Sequence, residues 1–124
     1  MNHRRFSKDH EWVELNGDIA TIGITNHAQD NLGDIVFIDL PVIGKAVNAG
    51  DEVSVIESVK AASDIYTPVD GKIIEINEKL KDEAALINQE AETGGWIFKI
   101  KLSKPLQLDE LMSLENYKNF LKQE

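Results

Sequence analysis

The stretch Val53-Ser54-Val55-Ile56-Glu57-Ser58-Val59-Lys60-Ala61-Ala62-Ser63-Asp64-Ile65-Tyr66-Thr67 largely alternates apolar and polar residues on either side of a short break. Period-two alternation marks a half-buried strand, because successive side chains leave opposite faces. Read as strands, Val53–Ser58 and Ser63–Thr67 flank the connector Val59-Lys60-Ala61-Ala62. A tight hairpin lifts Lys60 to its tip, and the small residues Ala61, Ala62 and Ser63 leave the ε-amine uncrowded. Between Asp51 and Asp70 five carboxylates (Asp51, Glu52, Glu57, Asp64 and Asp70) accompany this single lysine, with Glu57 and Asp64 expected nearest to it. By residue pattern alone, an ordinary solvated hairpin lysine is the stronger reading of Lys60.

The same period runs outward from this hairpin. Upstream, Glu11–Leu15 and Asp18–Thr25 sandwich Asn16-Gly17, a pair that tolerates positive φ and signals a hairpin. Ala20, Ile22 and Ile24 share one face of the second arm. Asn26 is the expected cap of a short helix, with Gln29 reaching back and Gly33 closing it. Ile35–Leu40 reads as a strand that Pro41 breaks, and Gly44 and Gly50 bracket a short strand around Ala46-Val47. Asp51–Ser58 should place Val53 and Val55 on one face. Downstream, Pro68-Val69-Asp70-Gly71 is a turn by composition, and Lys72–Asn77 a strand with Ile74 and Ile76 on one face. Glu78–Gln89 has room for one or two helical turns. Trp96, Phe98, Ile100 and Leu102 alternate with Ile97, Lys99 and Lys101, a clear half-buried strand. Past Pro105 the spacing of Leu108, Leu111, Leu114, Tyr117 and Leu121 becomes helical, in two pieces divided near Ser113. Gly44-Lys45-x-Val47 and Gly71-Lys72-x-Ile74 hint at an internal duplication around Lys60. The pattern is a mainly β sandwich or flattened barrel with short helices and a helical tail over about 106–122. No compositional break divides it, so one domain over 1–124 is expected.

Composition narrows the function. The formal net charge is −9, which repels phosphate backbones and argues against nucleic acid as a partner. It favours a soluble monomer and steers basic partners. There is no cysteine, so disulfides, thiolate nucleophiles and zinc-thiolate sites are all excluded. A dithiol cofactor would meet no competing thiol in its own protein. No apolar run nears the roughly 20 residues that span a bilayer. The basic Met1–Lys8 segment lacks the apolar stretch of a signal peptide, so a bacterial-type cytoplasm is the simplest expectation. An autonomous enzyme fits poorly. The three histidines, His3, His10 and His27, form no metal-spaced pair, and His10 or His27 reads as a structural hydrogen-bonding residue. Nucleophile elbow, phosphate-binding loop and dinucleotide fingerprint are all missing.

Glu57-Ser58-Val59-Lys60-Ala61-Ala62-Ser63-Asp64 resembles the lipoylation motif of glycine cleavage H proteins. Five further pieces match that family in order: His10-Glu11-Trp12-Val13; Gly23-Ile24-Thr25-Asn26-His27-Ala28-Gln29; Leu32-Gly33-Asp34-Ile35-Val36-Phe37; Pro68-Val69-Asp70-Gly71; and Gly95-Trp96. The resemblance implies a hybrid flattened β-barrel of the lipoyl/biotinyl type. It implies lipoate in amide linkage on Lys60, with Glu57, Ser58, Val59 and Ala61 as the recognition residues for lipoylation. It implies a non-catalytic carrier. A pyridoxal-phosphate glycine decarboxylase (P protein) loads the arm with an aminomethyl group. An aminomethyltransferase (T protein) unloads it to tetrahydrofolate, and dihydrolipoyl dehydrogenase (L protein) reoxidises the dithiol. A lipoate ligase or a lipoyl/octanoyl transferase attaches the group. The family also shelters the loaded arm in a surface cleft, for which Glu11 and Asp64 are the candidate contacts by motif position. Two departures stand out. Glu90-Ala91-Glu92-Thr93-Gly94 replaces Asp-Pro-Tyr-Gly-like residues before the Gly-Trp pair, and Asp9 precedes His10-Glu11-Trp12.

Other carriers fit less well. Biotin carriers place methionine on both sides of the lysine, where this chain has Val59 and Ala61. The lipoyl domains of 2-oxo-acid dehydrogenases favour Asp-Lys-Ala and adjoin a larger acyltransferase. An H-like protein acting mainly as a lipoyl donor to other complexes would share the same motif and stays open.

Overall fold

The computed structural model describes residues 4–123. Among the described residues nine strands form two antiparallel sheets. The strands are β1 (Arg4–Phe6), β2 (Glu11–Asn16), β3 (Ile19–Ile24), β4 (Ile35–Asp39), β5 (Ala46–Val47), β6 (Glu52–Ser58), β7 (Ala62–Tyr66), β8 (Gly71–Ile76) and β9 (Phe98–Leu102). The larger sheet has six strands in the order β1-β2-β3-β9-β8-β5, and the smaller has the order β4-β6-β7. No strand pairing joins one sheet to the other among the described residues. The architecture is therefore the expected β-rich sandwich, and the barrel part of that expectation is corrected: the sheets do not close.

The facing apolar sides merge into one core. The larger sheet contributes Val13, Ile22, Ile24, Ile73, Phe98 and Ile100, and the smaller Ile35, Ile38, Ile56 and Ile65. Burying each such side chain removes apolar surface from water, worth about 1.5–3 kcal/mol apiece. A second cluster of Phe6, Trp12 and Tyr117 lies under the C-terminal helix α3 (Leu114–Lys122). Trp12 sits across the ladder from Gly23, and a Cβ on Gly23 would come within 2.9 Å of the indole. The glycine makes room for the ring.

Several local expectations shift by a residue, each for a visible reason. The first hairpin turns on Gly17-Asp18, with Asn16 still paired to Ile19, because Gly17 carries the positive φ (67°) at the first loop position. Helix α1 (Asn26–Leu32) is capped by Thr25, whose side chain accepts from the Ala28 N–H, and Gly33 closes it at φ 79°. Val53 and Val55 share one half-buried face of β6 as expected, Ser54 and Ile56 fill the inward one, and a register shift between Glu52 and Ser54 leaves Val53 unpaired with β7. A similar shift between Ile73 and Glu75 makes Ile73 the core residue of β8 and leaves Ile74 half-buried. The chain after Ile76 forms a 3₁₀ turn (Glu78–Lys81) and helix α2 (Leu86–Glu90). The helical tail divides as expected. A 3₁₀ stretch covers Pro105–Glu110, Met112 bridges to Phe6, and Ser113 caps α3 through the Asn116 N–H.

Candidate functional site

The β6–β7 hairpin puts Lys60 at its turn. The Ser58 hydroxyl organises that turn: it accepts from the Lys60 and Ala61 N–H groups, each at 3.2 Å, and donates to the Ala61 carbonyl at 3.2 Å. The Ser58 N–H closes the loop on Ala61 O at 2.9 Å, and the Val59 N–H reaches Asp34 O at 2.9 Å. Val59, Lys60 and Ala61 are exposed. The Lys60 side chain lies across the end of α1, its Nζ donating to the Asn31 carbonyl at 3.2 Å. A Cβ on Gly33 would stand 2.9 Å from Lys60 Cε. The last carbonyls of a helix lack intrahelical partners and attract a cation. Glu57 and Asp64, expected beside the lysine, make no ion pair with it; both are exposed on the strands below.

The other candidate, Glu11, is 1% exposed. His10 adopts φ 65°, an uncommon conformation for a non-glycine residue, at the tight turn where its N–H bonds Ser7 O. That turn folds Ser7 back onto Glu11. The Ser7 hydroxyl donates to Glu11 Oε1 at 2.9 Å, and the Tyr66 N–H donates to Oε2 at 3.0 Å. Glu11 thus links β2 of one sheet to β7 of the other. It also lines a surface cleft of about 320 Å³ with Ser7, Asp9, Gly50, Thr67 and Met112. Asp64 does not line that cleft. The two carboxylates meet only through Tyr66, whose hydroxyl donates to Asp64 Oδ2 at 3.4 Å. The Asp64 charge holds the Tyr66 phenol above its usual pKa, so the proton stays in place to donate. The structure also brings two histidines together: the His10 and His27 rings lie 4.7 Å apart, with His10 Nδ1 2.8 Å from the Tyr117 hydroxyl. Among the described residues no group of three His, Cys, Asp or Glu could hold a metal ion.

The chain matches the family model described as glycine cleavage H-protein over residues 4–124. The chain belongs to the glycine cleavage H-protein family. It is 48% identical over 124 residues to the glycine cleavage system H protein of Thermotoga maritima, covering 100% of both chains. It is 54% identical over 121 residues to that of Vibrio campbellii, covering 97% of this chain and 96% of the relative. A solved glycine cleavage system H protein from Mycobacterium marinum superimposes with a TM-score of 0.89 at 31% identity, over 98% of each chain. Like other glycine cleavage H proteins, the chain is a lipoyl-carrying component of the glycine cleavage system.

Within this family member, burial and the nearby Asp9 push the Glu11 carboxyl up to about 7, against the lowering effect of its Ser7 and Tyr66 hydrogen bonds. An unfolded Glu11 loses its proton near 4.5, so between that pH and about 7 the folded state holds the extra proton. Stability therefore falls as pH rises through this window, and the full penalty, about 3 kcal/mol, is present above it. Glu11→Gln can keep both contacts, with Oε1 turned to the Tyr66 N–H and the amide donating to Ser7. Its stability relative to wild type should rise by about 2.5 kcal/mol between pH 5 and pH 8. Urea titrations at several pH values check this, and a difference that does not change with pH would rule it out.

Proposed function

We propose that Lys60 is the residue that carries lipoate, within a single carrier domain over 1–124 that itself catalyses no reaction. The observation that carries this reading is the place of its ε-amine, at the tip of an exposed hairpin and flanked by small residues. The residues fit the group. Acylation replaces the ammonium by an amide whose one N–H can still donate to Asn31 O, and it takes the formal net charge from −9 to −10. Lipoate supplies a disulfide that is reduced as it accepts a one-carbon amine fragment.

Everything else falls to the chain. Glu57, Ser58, Val59 and Ala61 present the turn to the attaching enzyme, a lipoate ligase or lipoyl/octanoyl transferase. From Ala62 along β7 to Thr67 at the cleft the chain runs about 15 Å, a reach comparable to an extended acylated lysine. Glu11 at the cleft wall and Asp64, joined to it through Tyr66, are the carboxylates proposed for a loaded arm's ammonium, and an enclosed carboxylate holds a cation more strongly than an exposed one. Glycine decarboxylase, aminomethyltransferase and dihydrolipoyl dehydrogenase are the proposed partners, met in turn by a tether that raises the local concentration of the cofactor. The bacterial sources of the relatives support the cytoplasm as the place of work.

Peptide mass spectrometry on protein from its native cell tests the assignment. A single lipoyl increment mapped to Lys60 is expected. No increment, even after incubation with lipoate ligase, ATP and lipoate, would overturn it.

A further inference from the structure

We infer that Asn88, on α2, is a positioning residue for the Lys60 turn; this rests on the reading of Lys60 as the acylated lysine. Between α1 and β4 the chain turns at Gly33-Asp34; the Gly33 N–H still closes the helix on Gln29 O, but the Gly33 carbonyl and the Ile35 N–H take a side chain as partner. One side-chain amide takes over. Asn88 Oδ1 accepts from the Ile35 N–H at 2.8 Å, while Nδ2 donates to the Gly33 carbonyl and to Gln29 Oε1, both at 2.9 Å. Only this orientation of the amide satisfies all three partners. Its neighbour Ile87 is fully buried in the core, which fixes the amide in place.

The loop held by Asn88 is the one on which the tip of the hairpin rests. Asp34 O accepts the Val59 N–H, Asn31 O accepts from Lys60 Nζ, and Ile35 pairs with Ser58. These contacts of the turn fall on residues 31, 34 and 35, and Asn88 bonds Ile35 itself and Gly33 beside Asp34. The segment around Asn88 also holds the other end of α1, since the Glu92 carboxylate accepts the Asn26 N–H at 2.8 Å. Helix α1 is bracketed at both ends, and its free carbonyl end faces the lysine. A modifying enzyme meets a lysine in one place, set by a side chain 28 residues away along the chain.

The test uses the full chain, lipoate ligase, ATP and lipoate. Asn88→Ala should lower kcat/KM for the carrier roughly tenfold, a modest fraction of what an ångström of misplacement can cost. Hydrogen exchange should quicken at the Val59 and Ile35 amides while Ile22 and Phe98, in the larger sheet, keep their protection. Unchanged kcat/KM, or protection lost equally in both sheets, would overturn the inference. A measurement on the wild type covers a variant that does not fold: Val59 and Ile35 should exchange through a common opening, and a Val59 amide that exchanges independently of Ile35 would also overturn it. A wild-type chain left unmodified at Lys60 would instead defeat the carrier reading, whatever the exchange shows.

Discussion

Lys60→Arg should leave the fold intact and reduce both lipoyl attachment and carrier activity to background. Arginine keeps the positive charge and can still donate to Asn31 O. Its guanidinium is protonated at all working pH values and offers no free amine for an acyl group. Lys60 is exposed and sits in no ion pair with Glu57 or Asp64, so the change in stability should stay within about 0.5 kcal/mol. Two readouts check this together: the lipoylated fraction by mass spectrometry, and glycine cleavage in a reconstituted mixture of the four components. Undiminished glycine cleavage by the variant would sink the assignment of Lys60.

Trp12→Ala should be the most damaging single truncation in the second core cluster. The indole is 1% exposed, and its Nε1 donates to the Ala91 carbonyl at 2.9 Å. The Arg4 guanidinium lies 4.3 Å over its ring, and Phe6 and Tyr117 pack with it, stacked at 4.7 Å on one another. Truncating a buried aromatic costs about 3–5 kcal/mol, and the stranded Ala91 carbonyl adds about 1 kcal/mol or more. Gly23 cannot refill the space, since it has no side chain to move. The expected result is a melting temperature lower by about 10–20 °C, with α3 loosened because its Tyr117 anchor loses its floor. Trp12→Phe should recover more than half of the loss. A melting point within a few degrees of wild type for Trp12→Ala would show that the cluster is not the support assigned to it.

The sequence made the hairpin around Lys60 readable because its signals are local: alternation, a short break in it, small residues after the lysine. The division of the tail at Ser113 was readable for the same reason, since a cap is a neighbour effect. What the sequence hid is long-range. Asn88 is an unremarkable polar residue in a weakly periodic stretch until Ile35, 53 positions away, is brought to it. Tyr66 reads as a strand residue, and only the packing of one sheet on the other reveals that its backbone N–H bonds Glu11. The face of β8 was misread because a bulge between Ile73 and Glu75 shifts the alternation there, and nothing in Ile74 announces it. The likeness to glycine cleavage H proteins carried the function, which the local residue pattern could not.

The placement of β6 between β4 and β7 has a mechanical consequence. An arm anchored at Lys60 and gripped by another protein will be tugged roughly along the hairpin. Rungs of an antiparallel ladder run perpendicular to the strands. Such a tug therefore loads the pairings of β4 with β6, at Ile35 with Ser58, Phe37 with Glu57, Ile38 with Ile56 and Asp39 with Val55, all in shear and all at once. They share the force like stitches along a seam. The hairpin resists as a block where a strand peeled from its end would yield one bond after another.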